Sequence, residues 1–179
     1  MSKKVLILSS SPRKGGNSDL LCDRFQQGAR EAGHQAEKIF LREKDIRCCT
    51  GCGVCNNIHK CVQRDDMAEI LEKMLEADVI VMATPVYFYA MCAQMKTLID
   101  RTVPIYTQLT NKDFYFIITA ADNSRPMMKR TLEGFRGFTE DCLTGAREKG
   151  IIYGTGAWQA GEIKGTPAMD QAYQMGKTV

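Results

Sequence analysis

Apolar and polar positions alternate along the chain in a regular way. Val5, Leu6, Ile7 and Leu8 form a short apolar run ending in Ser9-Ser10-Ser11-Pro12, the pattern of a buried strand running into a loop. A helix follows, with Asn17 or Ser18 as its cap, Leu21, Phe25 and Ala29 on one face, and Gly33 placed to end it. Ala36 to Leu41 is a second, weaker strand. Asp66 and Glu69 make a capping pair, and Met67, Ile70, Leu71, Met74 and Leu75 follow at helical spacing. Ala77 to Ala83 is a third strand, stopped by Thr84-Pro85, and Met91 to Val103 is a helix with Met95, Leu98 and Ile99 inward. Phe114 to Thr119 is a fourth strand. Ser124-Arg125-Pro126 opens a helical region reaching about Lys149, broken near Gly134 and Gly137. Ile151 to Thr155 is a fifth strand, and Thr166-Pro167 opens a last helix carrying Met169, Ala172 and Tyr173 that fades at Gly176.

Strands alternating with helices predict a doubly wound parallel α/β sheet covered on both faces. No repeat, low-complexity segment or linker divides the chain, so residues 1–179 are read as one domain. In such sheets ligands sit beyond the carboxyl ends of the strands, where the strand order switches. That rule selects the loops after the first, third and fourth strands.

Composition narrows the function. With 24 Lys+Arg against 21 Asp+Glu, a formal charge of +3 and no basic run, the chain has no footprint for nucleic acid or an acidic membrane. The apolar run Val5 to Leu8 falls short of the roughly 7 to 15 residues of a secretory signal, which makes a cytoplasmic location the expectation. No Ser/His/Asp triad or nucleophile elbow is present, which argues against a hydrolase.

The first loop, Ser9 to Ser18, holds hydroxyls, Arg13, Gly15 and Gly16 ahead of a helix start, a set suited to a phosphate. It carries neither G-x-G-x-x-G nor G-x-x-x-x-G-K-[ST], so a terminal monophosphate fits better than a dinucleotide or a nucleoside triphosphate. Flavin mononucleotide (FMN) carries such a group. Thr84-Pro85-Val86-Tyr87-Phe88-Tyr89 offers an aromatic wall, as either a ligand surface or a subunit interface. Trp158, after the fifth strand, is read as a shelter for a neighbouring subunit's ligand or as plain packing.

Five of the eight cysteines, Cys48, Cys49, Cys52, Cys55 and Cys61, fall within fourteen residues. Cys49, Cys52, Cys55 and Cys61 have the spacing C-x2-C-x2-C-x5-C, with Gly51 and Gly53 giving turning freedom between them. That geometry suits a [4Fe-4S] cluster. Zinc is the weaker metal reading, and free or oxidisable thiols are the plain alternative. Cys48 is read as a spare thiol.

Ser-Pro-Arg-x-x-Gly-Asn-Ser, Cys-x-Gly-Cys-x-x-Cys before Asp-Asp-Met, and Thr-Pro-Val-Tyr-Phe, in that order, resemble the flavodoxin-like NADPH-dependent FMN reductase family. The cysteine spacing is similar to that of the iron-sulfur flavoproteins. The resemblance implies a five-stranded sheet of order 2-1-3-4-5, bound FMN, and a homodimer or homotetramer. It implies phosphate contacts from Ser9, Ser11, Arg13, Asn17 and Ser18. Ring contacts would come from Thr84, Pro85, Val86, Tyr87 and Phe88, and from Thr119, Ala120 and Ala121. Ser9 and the two alanines stand where the family often has glycine. The implied chemistry is electron transfer from NAD(P)H through FMN to a small acceptor such as a flavin or quinone. The alternative is an electron carrier fed by ferredoxin through a [4Fe-4S] cluster. No catalytic side chain is expected, Tyr87 being the one proton donor nearby.

Overall fold

The computed structural model describes residues 1–179. Five parallel strands, β1 (Lys4–Ser9), β2 (Gln35–Phe40), β3 (Val79–Tyr87), β5 (Asp113–Thr119) and β6 (Arg147–Gly154), lie in the order β2-β1-β3-β5-β6. A two-residue strand β4 (Ala90–Met91) folds back antiparallel on β3. Without that stub the order is the expected 2-1-3-4-5, a flavodoxin-like α/β sheet.

The two-residue period of the strands sorts their side chains onto opposite faces. Val5, Ile7, Val79, Val81, Tyr115, Ile117 and Ile152 pack under α1 (Asn17–Glu31) and α6 (Ala168–Lys177). Leu6, Leu8, Ile80, Met82, Phe114, Phe116 and Ile118 meet α3 (Met67–Glu76), α4 (Ala93–Asp100) and α5 (Lys129–Cys142). Helix α2 (Cys55–Ile58) is a single turn in the cysteine segment and buries nothing. No helix is long and apolar enough to cross a membrane.

Several element boundaries move from their sequence positions. Strand β3 runs through Thr84-Pro85 to Tyr87 because β1 ends opposite Ala83. Beyond that point one side of β3 has lost its β1 neighbour, where proline is tolerated. Strand β6 begins at Arg147, not Ile151, and its polar start reflects an edge position that needs no apolar signal. Helix α5 is unbroken, since Gly134 lets the Met91 methyl approach and does not end the helix. Gly176 does not end α6 either. A Cβ there would lie 2.2 Å from the Phe25 carbonyl oxygen, and one at Gly28 would lie 2.1 Å from that of Tyr173, so the pair sets the close crossing of α1 and α6. Neither proposed cap operates as expected. Asn17 is already inside α1 and its side chain points elsewhere, while the Met67 N–H is taken by Asp65 and Asp66 accepts from the Asp45 N–H.

Candidate functional site

The first loop is held from behind by buried polar groups. Ser10 donates twice to the Ala83 carbonyl, from its N–H at 3.0 Å and from its hydroxyl at 2.6 Å, tying the loop to β3. The Cys92 thiol donates to the Ser10 carbonyl at 3.1 Å. Asp19 accepts from the Ser9 hydroxyl, the Gly15 N–H and the Lys38 ammonium at 2.8 to 3.1 Å. Desolvation next to Asp19 pushes the Cys22 thiol well above its ordinary range, so that sulfur is an inert packing group.

Above this support lies a cleft of about 440 Å³ at the carboxyl ends of β1, β3 and β5. Ser11, Arg13, Asn17 and Ser18 line it from the first loop, Pro85, Val86, Tyr87 and Phe88 from the second, and Thr119, Ala120 and Ala121 from the third. Ser9 and Thr84, both expected at the ligand, are fully buried and do not line it. The Ser9 hydroxyl is committed to Asp19, and Thr84 Oγ1 accepts the Cys92 N–H at 3.0 Å and donates to the Pro85 carbonyl. The Ser18 hydroxyl is the opposite case, being buried in the lining with no hydrogen-bond partner in the protein. Asn17 lines the cleft with its amide already bonded on both sides, to Ala157, Gln159, Gly161 and Ile163.

Two features of the cleft were outside the sequence expectation. Ala157 and Trp158 supply a fourth wall from this same chain, not from a neighbour, and Trp158 lends its carbonyl to Arg13 Nη2 at 3.1 Å. The edge strand that carries this wall was passed over by a rule that looks at the strand-order switch. The second is the hairpin between β3 and β4, whose two turn residues, Phe88 and Tyr89, both have positive φ, 49° and 64°. Such two-residue turns favour Asn-Gly. Aromatic residues there are strained, which is the kind of local strain found at functional sites. Phe88 is fully exposed, and Tyr89 carries Arg130 over its ring at 5.9 Å.

The four predicted sulfur ligands converge as well. Cys49, Cys52, Cys55 and Cys61 line one small pocket of about 30 Å³ with Arg101, although no three of them stand at ligating geometry. Gly51 and Gly53 turn the chain between them at φ +66° and +72°. The Gly51 N–H faces Cys49 Sγ at 3.5 Å, and Arg101 Nη2 faces Cys61 Sγ at 3.5 Å. The Val54 N–H and the Thr50 hydroxyl hold the Cys52 thiol below its usual range. Donors directed at sulfur suit thiolates or a cluster. Cys48 and His59 lie outside the pocket lining.

Arg101 and Asp65 anchor this segment and were not singled out from the sequence. Their side chains are 2% and 0% exposed and paired at 2.7 and 2.9 Å, and Arg101 Nη1 also donates to the Arg47 carbonyl. The guanidinium holds the Asp65 carboxyl below the usual carboxylate range, and burial only partly offsets this. A lone Arg at the end of a helix gives no pattern by which to find it.

An iron-sulfur flavoprotein of Archaeoglobus fulgidus is 40% identical over 112 residues, which are 63% of this chain and 51% of that protein. One of Methanocaldococcus jannaschii is 43% identical over 111 residues, 61% of this chain and 58% of that one. The chain therefore spans about half the length of the curated relatives it matches. An NAD(P)H:quinone oxidoreductase from Methanothermobacter marburgensis superposes with a TM-score of 0.79 over 99% of this chain and 96% of that one at 16% identity, a likeness of fold. Residues 3–130 match the model of the NADPH-dependent FMN reductases, and the chain belongs to that family.

Proposed function

We propose that the cleft binds FMN, with its phosphate at the first loop and its ring between Tyr87-Phe88 and Ala120-Ala121. The observation that carries this reading is the Ser18 hydroxyl, buried in the cleft lining without a protein partner. A buried hydroxyl left unpaired is unfavourable, and a phosphate oxygen would satisfy it. Arg13 adds a charge-assisted donor, and the start of α1 adds its partial positive charge. When bound, the flavin supplies hydride acceptance from NAD(P)H and electron delivery to a small acceptor such as a flavin or quinone. The chain binds, orients and shelters, and no titratable side chain is required for hydride transfer. Tyr87→Phe therefore retains reduction of bound flavin by NAD(P)H.

The test is a pair of titrations. FMN is expected to bind at least about tenfold more tightly than riboflavin, as a charge-assisted phosphate contact worth roughly 1.5 to 3 kcal/mol requires. Equal affinities would end the phosphate assignment. The exposed aromatic turn Phe88-Tyr89 also suits a contact between copies of the chain, in a homodimer or homotetramer.

A second reading, an electron carrier accepting from ferredoxin, is favoured by the pocket that all four cysteines line together with Arg101. A [4Fe-4S] cluster there would supply one-electron transfer. Anaerobic reconstitution should incorporate about four irons per chain, as a cubane requires. Failure to incorporate them, or equal incorporation by a Cys52→Ala, Cys55→Ala variant, would overturn the cluster reading and leave a plain flavin reductase.

A further inference from the structure

Asn17 sits in the phosphate-type loop, and the family resemblance implies a phosphate contact for it. Its polar atoms are directed elsewhere. Nδ2 donates to the carbonyls of Ala157 at 3.0 Å and Gln159 at 2.9 Å, while Oδ1 accepts from the N–H groups of Gly161 at 3.0 Å and Ile163 at 3.4 Å. The residue is 4% exposed, and both amide protons are committed. The segment it holds is the fourth wall of the cleft. That wall is tied in turn to the third loop, through the Ala157 N–H to the Ala120 carbonyl at 3.1 Å and the Gly156 N–H to the Asp122 carbonyl at 3.0 Å.

We infer that Asn17 is a positioning residue for the ring-binding half of the cleft and not a ligand of the phosphate. It clasps the β6–α6 segment against the first loop, and through that segment it holds Ala120 and Ala121 in place. Resting on the proposal that the cleft takes a flavin, this assigns the loop's phosphate-reading role to Ser18 and Arg13, and its shape-holding role to Asn17.

The consequence separates two substitutions one residue apart. Ser18→Ala should weaken FMN about tenfold and leave riboflavin unchanged, the loss of one hydrogen bond to a charged group. Asn17→Ala should weaken FMN and riboflavin by the same factor, about tenfold, since the buried Ala157 carbonyl and the half-buried Gln159 carbonyl lose their donor whether or not a phosphate is present. Asn17→Asp keeps the acceptor and loses both donors. It should retain hydrogen-exchange protection at the Gly161 amide while riboflavin affinity falls as in Asn17→Ala and FMN falls further, because the new carboxylate repels the phosphate.

The experiment measures FMN and riboflavin dissociation constants for the wild type and the three variants, with amide exchange at Gly161 and Ile163 in the flavin-free chain. Equal loss for both flavins in Asn17→Ala, together with protection of the Gly161 amide lost in Asn17→Ala and kept in Asn17→Asp and Ser18→Ala, supports the clasp. Loss confined to FMN, or unchanged affinity for both flavins, overturns it. If the wild type binds neither flavin, the functional reading fails, and exchange in the flavin-free chain still decides the clasp. Unchanged protection at Gly161 in Asn17→Ala refutes it.

Discussion

The cleft and the cysteine pocket are both made of loop residues, yet they are held in different ways. The cleft stands on the ends of buried strands, and each of its loops is tied to a neighbour by backbone bonds, such as the Ser10 N–H to Ala83 and the Ala157 N–H to Ala120. The cysteine segment lies outside the sheet. Its residues from Cys48 to Lys60 are exposed or half-buried, and a single buried ion pair, Asp65 with Arg101, fastens its end to the body. Topology preassembles the first site, whereas side-chain bonds centred on Asp65 and Arg101 assemble the second. Disturbances should therefore remain local to each.

The largest expected effect comes from cutting that pair. Arg101→Met leaves the buried Asp65 carboxylate with only the exposed Arg47 guanidinium, 3.7 Å away, as a charge partner and should lower the unfolding free energy by about 3 kcal/mol. Thiol-reagent labelling of the cysteine segment should accelerate, while flavin affinity stays within about twofold because the sites share no partner. A parallel collapse of flavin binding would show that the sites are one unit.

Acid should act on the same pair. The Asp65 carboxyl is held below the ordinary Asp value of about 3.9 in the folded protein. Its contribution is thus fully present above that ordinary value and is lost as pH falls through the lower, folded one. Labelling of the cysteines after brief acid exposure should rise in that window in the wild type. In Arg101→Met the acid step should be smaller, the Arg47 and Met67 N–H groups alone still holding the carboxylate.

The first loop offers the converse break. A Cβ at Gly16 would stand 2.3 Å from Ser11 Oγ and 2.9 Å from the Arg13 carbonyl oxygen, and backbone gives way less readily than a side chain. Gly16→Ala should weaken FMN about tenfold or more, as overpacking worth roughly 1 to 3 kcal/mol implies, and leave thiol labelling unchanged. The smallest effect concerns the strained turn. Phe88→Asn with Tyr89→Gly suits the positive φ of both positions and should stabilise by about 1 kcal/mol. Calorimetry should then show a rise of about 2 to 4 °C in Tm. Unchanged stability would mean that the aromatic turn is not strained.

Much of the fold was legible because buried parallel strands announce themselves as apolar runs: Val5 to Leu8, Ala77 to Ala83 and Phe114 to Thr119 each fall within one observed strand or overlap it. Edges were less legible. Arg147, Glu148 and Lys149 belong to β6 without any apolar pattern, since an edge strand has water on one side. The hairpin turn at Phe88-Tyr89 was hidden because its residues contradict the local preference that normally marks such turns.

The sequence by itself determined the sheet, the three loops at its carboxyl edge and the grouping of the cysteines, because hydrophobic period and residue spacing are local properties of the chain. Tertiary structure alone decided which side chains in those loops are free to meet a ligand. Ser18 was left unpaired while Ser9, Thr84 and Asn17 were committed to Asp19, Cys92 and the β6–α6 segment, and Arg101 was brought to Cys61 across forty residues of chain. Hydrogen-bond capacity is finite and its partners are distant in sequence, so only the folded chain shows which donors are already used.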